Sequence, residues 1–251
     1  MRNSFLFFFL LTSYQVFAQQ NYYAAARAGL SIREQASTES KVVDKIPYGT
    51  KLELVKDSAT SIMFSSEGFS GHWWKVKYND KTGYVVNIYV LPAVPPKATA
   101  KTIEDYFKEI SDPYGKPLEL KENFVNTVDE TTILTKQLYK NGMEHHHVDG
   151  YEYGADLYML PGFTVEQAYL LVRLVKQFPA VISDNDPFPT KNNIIKKGET
   201  EKAIEVEREN YGGGKPGPVK KIRLIHSDAI ITEIEIFSID QQVAIRVNAG
   251  V

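Results

Sequence analysis

The chain has 251 residues, no cysteine and a formal net charge of −2, with 29 Lys and Arg residues against 31 Asp and Glu residues. This near balance of charge gives no general attraction to nucleic-acid phosphate, so we expect no nucleic-acid partner. Without cysteine the chain has neither a disulfide framework nor a cysteine nucleophile, and its domains must be stabilised by their own apolar cores.

The first residues have the pattern of a secretory signal peptide. Residues 1–3 form a short charged head, residues 5–11 are an apolar run, and small residues precede a cleavage-type position at Ala18. The apolar run is shorter than the about 20 residues that span a bilayer. We therefore predict that residues 1–18 are removed, and that the mature chain is periplasmic or secreted and has no transmembrane segment.

Residues 22–91 have the pattern of a small all-β unit. Residues 30–33 and 51–54 alternate apolar and polar side chains, as half-buried strands do. Two further β-rich runs, residues 71–78 and 83–86, are joined by turn-forming residues. Residues 57–71 are predicted to include a connection longer than a tight hairpin needs.

These segments resemble, in order, the motifs of the bacterial SH3 family. The motifs are Leu-Ser-Ile-Arg at residues 30–33, Tyr-Gly-Thr at residues 48–50 and the run from Trp73 to Val85. The Gly-Pro that often follows the first motif is replaced by Gln35-Ala36. The resemblance implies an SH3-like barrel over residues 22–91 and a non-catalytic module that holds peptidoglycan or a peptide of the cell envelope.

The candidate ligand groove of this unit consists of Trp73, Tyr84 and Tyr89. Because side chains alternate along a strand, Trp74 should point inward with Val76, and Trp73 should point outward. An exposed tryptophan offers a stacking platform for a sugar or a peptide. The same aromatic residues are also what a small barrel needs to close its core, so both interpretations stay open.

Residues 92–100 are rich in proline and alanine and predict an extended linker. Proline fixes the backbone φ angle and removes a hydrogen-bond donor, which favours an extended chain over a folded element. We place the domain boundary here and expect the two flanking domains to fold independently, with few contacts across the linker.

Residues 101–251 predict an α+β domain with an antiparallel sheet, and they indicate no family. A helix should follow the capping residue Thr102, and a second should cover residues 165–178 after the capping-box pair Thr164 and Gln167. Residues 184–193 predict a loop. The Gly-Pro-rich residues 211–218 lack the Gly-Lys-Ser/Thr ending of a phosphate loop and predict a flexible connection. The predicted strands are residues 118–125, 131–139, 203–209, 219–226, 229–237 and 243–247.

The pair Asp149-Gly150 predicts a hairpin with a two-residue type I′ turn. In that register His147 faces Glu152 and His146 faces Tyr153. The middle histidine of the run then points to one face of the hairpin, and its two neighbours point to the other.

That second face carries the candidate metal ligands. Imidazole nitrogen and carboxylate oxygen are donors that zinc prefers. A solvated polar face is the alternative, because spacing alone does not determine ligand geometry. The candidates are His145, His147, Glu152 and Asp156.

We expect no enzyme and no cofactor, because the chain has no cysteine, no Gly-x-Ser-x-Gly elbow and no His-Glu-x-x-His helix. The leading interpretation is an exported, non-catalytic binding or scaffold protein whose partner is peptidoglycan or a peptide or protein of the cell envelope. One alternative is a metal-dependent cell-wall hydrolase that uses zinc at the histidine face. The other is an inhibitor or immunity-type protein that acts on an envelope partner.

Overall fold

A computed structural model describes most of the chain after residue 20. The described residues are 21–123, 131–150, 153–197, 200–210, 217–228, 230–240 and 242–250. The predicted signal peptide, Glu152 and residues 211–216 of the Gly-Pro-rich segment lie outside this part. Neither helix in it has the length and continuous apolar character that crossing a membrane requires.

Short antiparallel strands dominate the described residues, together with two α-helices. The strands are β1 (Tyr23–Ala24), β2 (Leu30–Arg33), β3 (Val42–Ile46), β4 (Glu53–Ser66), β5 (Phe69–Tyr78), β6 (Lys81–Val86), β7 (Val90–Leu91), β8 (Leu118–Asn123), β9 (Thr131–Leu138), β10 (Glu144–Gly150), β11 (Tyr153–Pro161), β12 (Asn193–Lys197), β13 (Thr200–Arg208), β14 (Val219–Ser227), β15 (Ile231–Ile239) and β16 (Gln242–Gly250). The helices are α1 (Ile103–Ile110) and α2 (Val165–Val175), and a single 3-10 turn covers Asn87–Tyr89.

The N-terminal part contains a five-stranded sheet in the order β3-β2-β6-β5-β4 and a two-stranded sheet of β1 and β7. The turn between β5 and β6 holds Asn79 and Asp80 at φ 47° and 59°, the positive values that a type I′ turn requires. The edge strands β3 and β4 are not neighbours in the sheet, so strand pairing does not close it into the predicted barrel.

The predicted long connection at residues 57–71 is instead an extension of the β4–β5 hairpin. Strand β4 continues to Ser66, and β5 begins at Phe69. Gly68 makes the turn at φ 78°, and a Cβ atom added there would lie 2.1 Å from the carbonyl oxygen of Phe188. The tip of this hairpin is therefore in close contact with the C-terminal part of the chain.

The C-terminal part is built on a nine-stranded sheet in the order β12-β13-β14-β15-β16-β11-β10-β9-β8. Helix α2 packs against β14, β15 and β16. Both helices begin with the predicted capping residues, Thr102 and Thr164, each in a complete capping box. Helix α2 ends three residues before the prediction, because Lys176 takes a left-handed conformation with φ 60°. The predicted loop at residues 184–193 is followed by β12, an edge strand that the sequence pattern did not predict.

One hydrophobic core joins the two parts of the chain. Phe69, Ile88 and Leu91 of the N-terminal part belong to the same buried cluster as α1 and α2. The linker is also attached to the protein, because the Tyr48 hydroxyl donates to the Pro96 carbonyl over 2.8 Å. The expectation of few contacts across residues 92–100 is therefore wrong, and the division into two folding units stays a prediction.

The predicted exposure of Trp73 is also wrong. Trp74 does share the face of Val76 and packs partly on the small core of the N-terminal part, as the alternation predicts. Trp73 lies on the opposite face, yet it is only 3% exposed. Phe64 packs edge-on against it with ring centres 5.7 Å apart, and Phe64 in turn packs on the shared core. The outer face of this strand is thus covered by the protein itself at Trp73.

Candidate metal centre in a groove of the large sheet

The candidate site lies on one face of β9, β10 and β11, beside the area that α2 covers. Strand β10 places His145 opposite Tyr158 and His147 opposite Asp156 on β11. Because directly paired residues point to the same side of a sheet, all four side chains lie on one face.

The turn predicted at Asp149-Gly150 is wrong. Both residues belong to β10, where Gly150 pairs with Tyr153, and the connection falls at residues 151–152, outside the described residues. His147 therefore faces Asp156 rather than Glu152, a shift of four residues. An even shift leaves every side chain on its predicted face, so His145, His147 and Asp156 still come together.

The two imidazoles converge on a single carboxylate oxygen. Asp156 Oδ1 lies 2.7 Å from His145 Nε2 and 2.9 Å from His147 Nδ1. One ligand atom from each of the three residues lies within 4.8 Å of the other two. His145 is buried, Asp156 is half-buried, and the His147 side chain remains 43% exposed. The cluster is therefore accessible from the side of His147.

The surroundings set the charge of the carboxylate. Burial alone would raise the pKa of Asp156, but the hydrogen bonds and charges of His145 and His147 outweigh burial and lower that pKa below its ordinary value. His145 stacks on the Tyr158 ring with the ring centres 4.5 Å apart and the planes 11° from parallel. The stacked ring and the shared carboxylate hold the buried imidazole in one orientation.

The cluster opens into a groove of about 580 Å³. Its walls include Glu104 and Lys108 of α1, which form a salt bridge of 2.6 Å, and Gln177, which follows α2. Tyr139 also lines the groove; it is 3% exposed, and its hydroxyl has no hydrogen-bond partner among the described residues. Burial raises the pKa of Tyr139 to about 12, so the hydroxyl keeps its proton and can donate it in a hydrogen bond.

His146 lies on the opposite face of the sheet and takes no part in the cluster. Its Nε2 atom lies 2.8 Å from Glu144 Oε2, and that same carboxylate pairs with Lys136 at 2.7 Å. The prediction that the middle histidine is separated from its neighbours is confirmed by this register. Replacement of His146 is therefore a suitable control for replacement of His145 or His147.

The predicted groove of the N-terminal part is only partly assembled. Trp73 and Tyr84 lie on the same sheet face, but Trp73 is buried. Tyr84 is half-buried, with Lys75 Nζ 5.9 Å from the ring centre. Tyr89 packs against both hydrophobic cores, and burial raises the pKa of its hydroxyl. Tyr84 is therefore the predicted residue best placed to contact a ligand.

The other groove residues were not predicted from the sequence pattern. Tyr158 was detectable, because it stands two residues after Asp156 and therefore shares its face. Glu104, Tyr139 and Gln177 come from separate segments, and no local pattern relates them to the histidines.

Comparison with known proteins identifies only the N-terminal part. Residues 28–90 match the family model of the bacterial SH3 domain, which confirms the resemblance stated above. A search of curated proteins and a search of solved structures each returned no match. The histidine cluster lies outside the matched residues, so its chemistry must be argued from its own geometry.

Proposed function

We propose that this protein is an exported, non-catalytic binding protein of the bacterial cell envelope, and that it holds peptidoglycan or an envelope peptide. The observation that carries this proposal is the match of residues 28–90 to the bacterial SH3 domain, which is commonly a cell-wall binding module. The charged head and apolar run of residues 1–18 support export.

Tyr84 is the centre of the proposed contact with the wall. Its strand, β6, lies between β5 and β2, which place Lys75 and Arg33 directly opposite Tyr84. An aromatic ring stacks on sugars and peptide groups, and cations bind the carboxylates that wall peptides carry. One aromatic residue with a lysine and an arginine on the neighbouring strands therefore suits a saccharide or peptide that bears negative charge.

The shared core supports a rigid binding unit rather than a tethered module. The hairpin tip is attached to the C-terminal part by a hydrogen bond of 2.7 Å from the Phe188 amide to the Glu67 carbonyl. Arg173 on α2 forms a salt bridge of 3.1 Å with the Glu67 carboxylate. A wall ligand at Tyr84 would therefore position the C-terminal part as well.

Export is tested on the native protein. Intact-mass measurement of material from the envelope fraction should give a chain that lacks residues 1–18. A mass that still includes Met1 would rule out cleavage of the predicted signal peptide.

Wall binding is tested by co-sedimentation of the mature chain with purified peptidoglycan sacculi. Tyr84→Ala should weaken binding by about 0.5–1.5 kcal/mol, which is roughly two- to tenfold, because it removes one aromatic contact. Tyr114→Ala is the matched control, since Tyr114 is an exposed tyrosine outside the matched residues. Failure of the unaltered chain to bind sacculi or soluble wall peptides would refute the function. Normal binding by Tyr84→Ala would refute only the position of the contact.

A further inference from the structure

We propose that His145, His147 and Asp156 form a zinc-binding site with one coordination position open to the groove. The proposal concerns cation binding, goes beyond wall binding and adds no reaction. It is carried by the convergence of three metal-ligand atoms and by a buried hydroxyl that lines the same groove and has no hydrogen-bond partner among the described residues.

The donor geometry is close to what a tetrahedral ion needs. Zinc–ligand bonds of about 2.0–2.2 Å place the ligand atoms of a tetrahedral site roughly 3.3 Å apart. The two nitrogens already lie 2.7 and 2.9 Å from Asp156 Oδ1. An ion among these atoms therefore requires each nitrogen to move away from Oδ1 by a few tenths of an ångström, while the two nitrogens, which lie within 4.8 Å of each other, come to the same spacing. The paired strands β10 and β11 already hold the backbones of these residues in place.

The hydrogen bonds show how an ion would replace protons. A carboxylate oxygen can only accept, so His145 Nε2 and His147 Nδ1 must each donate a proton to Asp156. Zinc binds these same nitrogens through their lone pairs, so each imidazole would carry its proton on the other ring nitrogen when the ion is bound. The ion would then take the place of the two N–H groups beside the carboxylate.

Three protein ligands leave the fourth coordination position of a tetrahedral ion vacant, and this position would open into the groove. The exposed side of His147 faces solvent, and the groove volume of about 580 Å³ leaves room for water or a small ligand. The Tyr139 hydroxyl lines the groove as a buried donor without a partner among the described residues. A polar atom carried by a ligand of the ion would satisfy this hydroxyl, which otherwise carries the cost of an unpaired buried polar group.

The ligand types select the metal. Calcium and magnesium take oxygen ligands, whereas two imidazoles with one carboxylate suit zinc and its first-row neighbours. Glu104 stands on the groove wall as a further carboxylate, but its salt bridge to Lys108 already pairs it. The chemistry of the three converging ligand atoms therefore favours zinc and its first-row neighbours over calcium and magnesium, and zinc is the ion we propose.

The test is titration of zinc chloride into the mature, untagged chain after chelator treatment, followed by calorimetry. We expect one zinc ion per chain. His145→Ala, His147→Ala and Asp156→Ala should each weaken binding roughly 100-fold or more, because even outer-shell partners are worth about 10–100-fold. His146→Ala is the matched control and should bind as the unaltered chain does, since its side chain lies on the opposite face.

Cobalt and circular dichroism complete the experiment. Co²⁺ in the site should show the intense visible bands of a four-coordinate ion, and His147→Ala should abolish them. His147 has the most exposed side chain of the cluster, so its replacement should leave the fold intact, which circular dichroism checks. Absence of stoichiometric zinc binding, or an equal loss in His146→Ala, would overturn the site. Sacculus binding, which depends on Tyr84, would be unaffected by that failure.

Discussion

Replacement of Phe69 by alanine should destabilise both parts of the chain together. Phe69 is 1% exposed and belongs to the N-terminal hairpin, yet its ring contacts are with the C-terminal part. The ring centres of Phe188 and Tyr169 lie 5.2 and 6.0 Å away, and the Arg173 guanidinium lies 5.6 Å from its centre. Loss of a buried phenylalanine costs about 3–5 kcal/mol, and here the cavity would open between the two parts.

The assay is urea denaturation followed by two probes. Both tryptophans of the chain, Trp73 and Trp74, lie in the N-terminal part and report its unfolding by fluorescence, whereas far-ultraviolet circular dichroism reports all strands and helices. The unaltered chain should give coincident transitions, and Phe69→Ala should move both to lower urea together.

A control on the same hairpin isolates the contact. Met63→Ala replaces a side chain that is 59% exposed, and it should change the free energy of unfolding by no more than about 0.5 kcal/mol. Separate fluorescence and dichroism transitions in the unaltered chain, or an unchanged midpoint in Phe69→Ala, would refute the shared core and restore the expectation of independent domains.

Three further predictions follow from single contacts. Trp73→Ala should lower the free energy of unfolding by about 3–5 kcal/mol, and Trp74→Ala should lower it by less, because Trp74 is only half-buried. Denaturation curves of the two variants test this difference. Asp156→Asn should reduce acid lability: because folding lowers the Asp156 pKa below 3.8, its stabilisation is present above that pH and is lost as the pH falls through the folded value. Melting curves of the unaltered chain and of Asp156→Asn, recorded in chelator from neutral pH to below pH 3.8, test this prediction. An equal loss of stability in the two proteins as the pH falls would contradict it. Gln167→Glu should keep the helix cap yet lose the 3.0 Å hydrogen bond to the Val90 carbonyl, so it should destabilise by about 1 kcal/mol, and Gln167→Ala by roughly twice that.

The helices were predictable because their signals are local. Thr102 and Thr164 each stand before an apolar face and three residues before a side chain that completes a capping box. These contacts lie within one helical turn, so the residues that make them are neighbours in the sequence. The strand bounds were predicted less closely, because pairing partners rather than local patterns decide where a strand ends.

The hairpin of the candidate site shows why a strong turn signal failed. The predicted and observed registers differ by an even number of residues, so both give the same buried and exposed faces. The choice between them therefore depends on individual cross-strand pairs. The observed register forms the stack of His145 on Tyr158 and the hydrogen bond of His147 to Asp156, and these pairs outweigh the preference of Asp149-Gly150 for a turn.

Trp73 shows the limit of the same reasoning in the N-terminal part. Alternation correctly separates it from Trp74, but alternation says only which face a side chain is on. Whether that face meets solvent depends on what else packs there. Phe64 and Val86, which lie beside Trp73, pack on a core shared with distant helices, and no pattern within residues 22–91 reveals those helices.

Helix α2 connects the two candidate binding surfaces. Near its start, Gln167 donates to the Val90 carbonyl of the N-terminal part, and farther along Arg173 binds the hairpin tip. Just beyond its end, Gln177 accepts a hydrogen bond of 2.9 Å from the Ile103 amide and lines the groove of the histidine cluster. One helix thus contacts the N-terminal part at both of its ends and the groove just beyond its C-terminal end. If the Tyr84 face binds the cell wall, the groove is held at a constant orientation to that wall, so a substitution that displaces α2 should disturb both surfaces even where it touches neither.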